Sequence, residues 1–184
     1  MNSAIQSKGD IDHPAISLIT YVYIDTSVIG GCFDQEFATW SKALFDDFKN
    51  GRMIAVVSDI TLDELSGAPE RIQKKFETIP DAYLEILSSD NETNDLAKMY
   101  LDEGIVSGKY FEDALHIAIA TIYEVNVLAS WNFKHIVNLD KIRMYNSVNL
   151  KYGYSLIEIR TPREILKTEN DEREYEPLPL SAAF

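Results

Sequence analysis

YVYIDTSVI, residues 21–29, is the stretch of sequence that decides the fold. Residues 20–24 are β-branched or aromatic and alternate little between apolar and polar, which is typical of a strand buried on both faces. Asp25 follows at the carboxyl end of that strand, and Thr26 and Ser27 are candidates for the N-cap of a helix. The segment therefore predicts a strand that leads into a helix, with an acid at the junction.

The rest of the chain alternates helical patterns with short apolar strands. Apolar and aromatic residues recur at helical spacing from 33 to 48, and Asn50 and Gly51 then end the helix. We predict further strands over 53–57, 83–87 and 127–129, and helices over 58–65, 91–101 and 111–123. This alternation predicts an α/β fold with helices on both faces of a parallel sheet. Ligands of such sheets bind beyond the carboxyl ends of the strands, where Asp25 is placed.

The length of 184 residues and a hydrophobic content of 46% predict one folded domain with short tails. We expect a flexible N-terminal segment over 1–17, the folded domain over 18–167, and an acidic, mobile C-terminal tail over 168–184.

Nothing in the sequence indicates export or a membrane. Acidic residues and His13 interrupt the N-terminal segment, which therefore does not resemble a signal peptide. No apolar run approaches the roughly 18 residues that a spanning helix needs. A single cysteine, Cys32, cannot form an intramolecular disulfide, and we expect it to fill the core. These observations predict a soluble, cytoplasmic protein.

The charge balance argues against a broad nucleic-acid surface. The chain has 17 basic and 30 acidic residues, a formal net charge of −13. Part of the excess lies in the segment KTENDEREYE, residues 167–176, and part would lie in a carboxylate site whose charge a divalent cation offsets. The composition therefore permits a local nucleic-acid site and disfavours an extended one.

Three acids stand beside very apolar stretches, in YIDTS, TLDEL and FEDALHIAIA: Asp25, Glu64 and Asp113. Burying an ionised carboxylate is costly unless it is paired or binds a cation, and hard oxygen ligands suit Mg²⁺ or Mn²⁺. Other interpretations are open for each acid. Asp25 could be a helix cap, Glu64 a solvated position with Asp63 as its competitor, and Asp113 an acid favoured by a helix dipole. His116, one turn after Asp113, is expected to be packed or hydrogen-bonded rather than a metal ligand.

The order of the motifs VYIDTSVI, SDITLDEL, DALHIAIA and LASWNFKHI resembles the PIN-domain family. The similarity is greatest to the VapC-type toxin nucleases of bacterial toxin–antitoxin pairs, and it covers residues 21–166. The resemblance implies an α/β/α sandwich with a central, mostly parallel sheet and the activity of an endoribonuclease that depends on Mg²⁺ or Mn²⁺.

The resemblance also implies roles for particular residues. Asp25, Glu64 and Asp113 match the first three family acids, as catalytic residues and metal ligands. A fourth family acid follows a Thr/Ser-x-Asp pattern, which here is Ser130-Trp131-Asn132, so an uncharged amide replaces a carboxylate and weakens the metal site. Ser27 and Ser130 are candidates to hydrogen-bond a ligand carboxylate or the phosphate, with capping and turn formation as the alternative.

The implied partners are an RNA substrate, an antitoxin protein and a second copy of the chain. The homodimer would form through apolar helix surface, with Phe33, Phe37 and Trp40 as candidates, although these aromatics could equally belong to the core.

Three other functions compete with a ribonuclease. A PIN-like protein with a weakened metal site could act as a protein-interaction module, which Asn132 and the net charge favour. A phosphatase with an Asp nucleophile would need a second Asp where Ser27 stands. A serine or cysteine hydrolase is disfavoured because the sequence has no Gly-x-Ser-x-Gly pattern.

Overall fold

A computed structural model gives the fold and describes residues 19–166. The predicted terminal segments over 1–17 and 168–184 lie outside these residues. Within 19–166 a five-stranded sheet has the order β3-β2-β1-β4-β5, and every neighbouring pair is parallel. The strands are β1 (Thr20–Ile24), β2 (Met53–Ser58), β3 (Leu84–Leu87), β4 (Val127–Ala129) and β5 (Ile159–Arg160).

Helices cover both faces of this sheet, so the predicted α/β/α sandwich is confirmed. They are α1 (Thr26–Gly31), α2 (Ala38–Lys49), α3 (Asp59–Ser66), α4 (Glu70–Phe76), α5 (Asn91–Asp102), α6 (Phe111–Ile122) and α7 (Leu139–Tyr152). None of the helices in the described part of the chain is long and apolar enough to span a bilayer.

The central strand β1 divides the interior into two cores. Tyr23 packs in one core with side chains of α5, α6 and α7, whereas Val22 and Ile24 pack in the other with side chains of α1 and α2. This division follows from the two-residue period of a strand, which sends successive side chains to opposite faces. Because helices cover both faces, Val22, Tyr23 and Ile24 are buried as predicted, whereas Thr20 and Tyr21 at the start of the strand are not.

The helix α6 explains the most apolar segment of the sequence. All eight residues from Ala114 to Thr121 are buried, since the helix lies between the sheet and α5. Asp113 precedes this buried run in the first turn of the helix and is only partly buried. The acid therefore lies where the helix emerges from the core.

The predicted helix over 33–48 begins later than expected, at Ala38. Residues 32–37 form turns in which the amides of Phe33 and Asp34 donate to the carbonyls of Gly30 and Gly31, at 2.9 and 3.2 Å. The Asp34 carboxylate then accepts from the amide of Glu36 at 2.8 Å, which is the local bonding that favours a turn over a helix. The regularly spaced aromatic residues that indicated one helix thus belong to a turn followed by a helix.

The elements α4, α7 and β5 were not predicted from the sequence. For α7 the signals are present, because Asn138 accepts from the amide of Lys141 at 3.2 Å as an N-cap. Gly153 ends the same helix with a φ of 84°, a left-handed conformation that favours glycine. For β5, two residues are too few to give a pattern.

Candidate active site

Asp25 lies at the carboxyl end of β1 and caps α1, so the N-cap is Asp25 rather than Thr26 or Ser27. Its Oδ1 accepts from the amide of Val28 at 3.3 Å and from the Ser27 hydroxyl. Its Oδ2 accepts from the Ser130 hydroxyl at 2.7 Å. The side chain is 5% exposed, and this burial raises the pKa of Asp25, although the charge of His116 and the hydrogen bonds oppose the shift. Three hydrogen-bond donors therefore fix the position of this buried carboxylate.

The register of β1 and β4 explains why Ser130 reaches Asp25. Ile24 pairs with Ala129 in the parallel ladder, so the next residue of each strand emerges at the same edge of the sheet. The Trp131 amide donates to Ser27 Oγ, and the Asn132 amide donates to Ser130 Oγ, both at 2.9 Å. Ser27 and Ser130 therefore both donate hydrogen bonds to Asp25, and their role toward a metal ligand stays a prediction.

Glu64 reaches the same edge from α3. The Thr26 hydroxyl donates to Glu64 Oε2 at 2.7 Å, and His116 Nε2 lies 3.4 Å from Oε1. Burial of Glu64 opposes ionisation, but the hydrogen bond and charge of His116, together with Thr26, lower its pKa. Its competitor Asp63 is exposed, so Glu64 is the residue of this pair that joins the site. The role of Thr26 carried no sequence signal beyond that of a possible cap.

Asp113 is joined to the site through Asn132, whose Nδ2 donates to Asp113 Oδ1 at 2.9 Å. The amide oxygen of Asn132 accepts from the amide of His135 at 3.0 Å. The structure thus directs the nitrogen of Asn132, not its oxygen, at the acid, and metal binding by Asn132 stays a prediction. Burial raises the pKa of Asp113, and the charges of Asp25 and Glu64 raise it further, while His116 opposes them.

His116 lies beneath the three acids and is 2% exposed. Its Nδ1 is 2.7 Å from the Tyr23 hydroxyl, which is 2.7 Å from Ser58 Oγ. The prediction that His116 is packed and hydrogen-bonded is confirmed. Burial lowers the pKa of His116, but the bond to Glu64 and the surrounding carboxylates outweigh it, so the pKa is raised. Tyr23 gave no sequence signal because it belongs to an apolar strand pattern, and Ser58 was predicted only as the start of a helix.

The oxygen atoms of the three acids suit a hydrated divalent cation, but the acids are not already arranged around a metal site. Among residues 19–166, no group of three or more His, Cys, Asp or Glu side chains is spaced to hold a metal ion. Mg²⁺, however, keeps several waters and needs only one or two carboxylates. Burial is the largest cause of the raised pKa of Asp113, and the charges of Asp25 and Glu64 add to it; a cation would offset that repulsion. The donor set therefore fits the ion, and the bonded arrangement described above would have to loosen to receive it.

The arrangement supports neither a serine nor a cysteine hydrolase. Cys32 is buried in the core, and burial raises its pKa to about 11, which disfavours the thiolate. Ser27 and Ser130 bond to Asp25 instead of to a histidine, and His116 bonds to Tyr23 and Glu64. The prediction that Cys32 is a core residue is confirmed.

No family model matches the sequence, and no curated protein matches it. Solved structures do match the fold. One of them is the structure of VapBC2 from Rickettsia felis bound to a DNA fragment from its promoter, which aligns with a TM-score of 0.50 at 15% sequence identity. The alignment covers 77% of this chain and 98% of that chain. The chain has a PIN-like fold. VapC20 from Mycobacterium tuberculosis, described as a sarcin-ricin loop cleaving toxin, aligns at 0.49 and 11% identity over 62% of this chain and 92% of that one. FitAB bound to an IR36 DNA fragment aligns with a TM-score of 0.49 at 13% sequence identity. The alignment covers 77% of this chain and 94% of that chain.

A buried tryptophan forms one wall of the site in this PIN-like domain. Trp131 Nε1 donates to Ser41 Oγ at 2.8 Å, which fixes the indole. A Cβ at Gly31 would lie 2.6 Å from Ser41 Oγ and 2.8 Å from Trp131 Nε1. Glycine is therefore required at position 31 by the close approach of the indole.

Proposed function

We propose that the protein is a toxin-type endoribonuclease that hydrolyses RNA phosphodiester bonds with Mg²⁺ or Mn²⁺. One observation carries the proposal: two hydrogen-bonded networks meet at the carboxyl edge of a parallel sheet. One joins Asp25 to Asp113 through Ser130 and Asn132, and the other holds Glu64 through Thr26, the residue after Asp25. The four family-like motifs in their order and the PIN-like fold support it.

In this mechanism Asp25, Glu64 and Asp113 would hold the ion. When bound, the ion supplies a water of lowered pKa and offsets charge on the phosphate. The chain's other residues orient these acids, since Ser27 and Ser130 bond to Asp25. Thr26 does the same for Glu64, and Asn132 for Asp113. Such orientation by neighbouring donors keeps a ligand carboxylate in one rotamer.

We assign the proton-accepting role to Asp113 Oδ2. Its Oδ1 already accepts from Asn132, and the side chain is partly exposed at the start of α6. Asp25 is less suitable, because both of its oxygens accept hydrogen bonds and its side chain is buried.

A local cluster of lysines supports an RNA substrate despite the net charge of −13. Lys109 and Lys134 lie 5.6 and 5.2 Å from the centre of the Tyr110 ring, and that ring lies 3.8 Å from the ring of His135. Lys141 Nζ is 3.2 Å from His135 Nδ1. Since the His135 amide bonds to Asn132, this positive cluster adjoins the acids. Cations beside the site suit a phosphate backbone.

The second candidate function is a protein-interaction module, which the nitrogen of Asn132 facing Asp113 favours. Titration with Mg²⁺ or Mn²⁺ separates the two. For the nuclease we expect the thermal midpoint to rise with ion concentration, and a mixed RNA pool to be cleaved in the same range. A midpoint that neither ion moves, together with intact RNA, would favour the interaction module.

Asn132→Asp is expected to tighten Mg²⁺ or Mn²⁺ binding by roughly tenfold, about 1.4 kcal/mol. The variant adds one charge near the ion and removes the donor that now satisfies Asp113, so the ion-free protein should be less stable. Cleavage should increase at low metal and change little at saturation. Calorimetry of both proteins measures the affinities. Equal affinities would show that Asn132 takes no part in metal binding.

A homodimer is part of the proposal, and light scattering at micromolar protein should give about twice the 20.9 kDa of the chain. Of the three candidate aromatics, Phe33 is exposed, whereas Phe37 and Trp40 pack partly against the second core. Phe33→Ser is expected to weaken the dimer because it removes exposed apolar surface. A mass of one chain for the unaltered protein would exclude the dimer.

A small antitoxin protein and a cytoplasmic location complete the proposal. The toxin resemblance and the fold shared with VapBC2 support the partner. Coexpression with the protein of the neighbouring reading frame should give a stable complex that suppresses cleavage.

A further inference from the structure

An aromatic pocket of about 540 Å³ lies beside the candidate active site. Four aromatic side chains line it: Phe37, Trp40, Trp131 and Phe133. The rings of Phe37 and Trp131 are stacked, with centroids 4.4 Å apart and planes 16° apart. The ring of Phe133 lies 6.1 Å from each of them and is 50% exposed. The pocket therefore presents flat aromatic surface to solvent.

The pocket and the acids share one short segment of chain. The Trp131 amide donates to Ser27 Oγ, and the Ser27 hydroxyl donates to Asp25. The next residue, Asn132, bonds to Asp113, and Phe133 follows it at the pocket. A molecule in the pocket would thus contact Trp131 and Phe133, the two neighbours in sequence of Asn132, which bonds to Asp113.

We infer that this pocket binds an unpaired base of the RNA substrate and so presents a neighbouring phosphodiester to the acids. The inference rests on the proposed function and adds the form of the substrate, a single-stranded segment. Proteins that bind single-stranded RNA stack its bases on aromatic side chains. Here Phe133, which is half exposed, and the partly exposed Phe37 provide the stacking surface, and the buried Trp131 packs behind Phe37. Lys134 adjoins Phe133 on the side of the lysine cluster.

The lining favours a base over an apolar peptide. Val137 is the one aliphatic residue among the described residues that line the pocket, whereas grooves for apolar peptide side chains are rich in such residues. The rim carries two acids, Glu36 and Glu164, and one cation, Arg163, whose guanidinium lies 5.7 Å from the centre of the Trp40 ring. Donors and acceptors at the edge of an aromatic slot match the polar edge of a base.

The test uses the full chain, without divalent ions, and three probes at one salt concentration: octaadenylate, octauridylate, and an abasic octamer of the same ribose-phosphate backbone. Fluorescence anisotropy measures each affinity. We expect at least one base-bearing octamer to bind about tenfold more tightly than the abasic octamer. Phe133→Ala and Phe133→Leu should remove this difference, because both lose the ring, and Phe133→Tyr should keep it. Tyr152→Ala is the matched control, since Tyr152 is 44% exposed at the end of α7 and should leave binding unchanged.

The outcomes separate this inference from the proposed function. Equal affinity for base-bearing and abasic octamers, with RNA cleavage intact, overturns the pocket and leaves the nuclease. Base-dependent binding without cleavage in either ion supports the pocket and overturns the nuclease. If Phe133→Ala spares octamer binding but weakens the complex with the neighbouring-frame protein, the pocket is a protein-docking groove and the inference is wrong. With cleavable RNA, Phe133→Ala should raise KM about tenfold and leave kcat within about twofold.

Discussion

Asp113→Asn is expected to abolish metal-dependent cleavage of RNA while leaving the thermal midpoint unchanged or raised by up to about 4 °C. The substitution keeps a side-chain oxygen that accepts from Asn132, so the network persists. It removes one of the mutually repelling charges, which both weakens cation binding and relieves the ion-free protein. A mixed RNA pool and thermal unfolding of the two proteins measure these effects.

The stability difference should depend on pH. Because the pKa of Asp113 is raised in the folded state, ionisation costs folding stability as the pH rises from the ordinary aspartate range through the raised pKa. The variant avoids this cost, so its advantage should be absent in acid and complete above the raised pKa. Asp63→Asn, an exposed neighbour of Glu64, is the control with the same charge change and should alter neither property. A clear loss of stability in Asp113→Asn at neutral pH would make Asp113 structural.

Gly31→Ala is expected to lower the free energy of unfolding by about 3 kcal/mol, roughly 6–12 °C in the thermal midpoint. The added methyl would lie 2.6 Å from Ser41 Oγ and 2.8 Å from Trp131 Nε1, so it must break their hydrogen bond and displace a buried indole. Cleavage should also fall, because the Trp131 amide holds Ser27. Denaturant unfolding and tryptophan fluorescence measure both the loss and the displacement.

Gly30→Ala is the matched control in the same helix. The nearest heavy atom to its methyl would be Ile72 Cδ1 at 3.9 Å, an ordinary contact. Alanine is a better helix former than glycine, so this variant should be unchanged or slightly more stable. If the two variants behaved alike, the close approach of the indole at position 31 would not be the cause.

The sequence alone predicted the helices and strands that have a long run of buried apolar residues. The strand before Asp25 and the apolar helix after Asp113 are confirmed because residues 22–24 and 114–121 are buried, which leaves an apolar pattern in each. The predicted start of α2 was wrong because a turn at Asp34 has aromatic residues at the same spacing as a helix. Residues 33–36 of this turn are exposed, so the spacing of aromatic residues alone did not distinguish the turn from a helix.

The site was predictable where a motif fixes a position at a strand end, as for Asp25. It was not predictable where the partner comes from a distant element. Thr26 bonding to Glu64, and Tyr23 bonding to His116, depend on how α3 and α6 pack against β1. The direction of the Asn132 amide likewise follows from the turn that its oxygen caps. Such contacts are decided by tertiary packing, which short-range spacing does not encode.

The position of β1 at the centre of the sheet also sets an order of assembly. Its partner β2 follows closely along the chain, whereas Ser130 joins Asp25 from 105 residues away. Contacts between residues close in sequence form first, and a chain begins to fold while its later part is still being synthesised. The strands β1, β2 and β3 can pair before Asp113 and Asn132 exist. The candidate site therefore cannot be completed before Asn132 has been added to the chain, and a shorter chain carries Asp25 and Glu64 without the residue that joins Asp25 to Asp113.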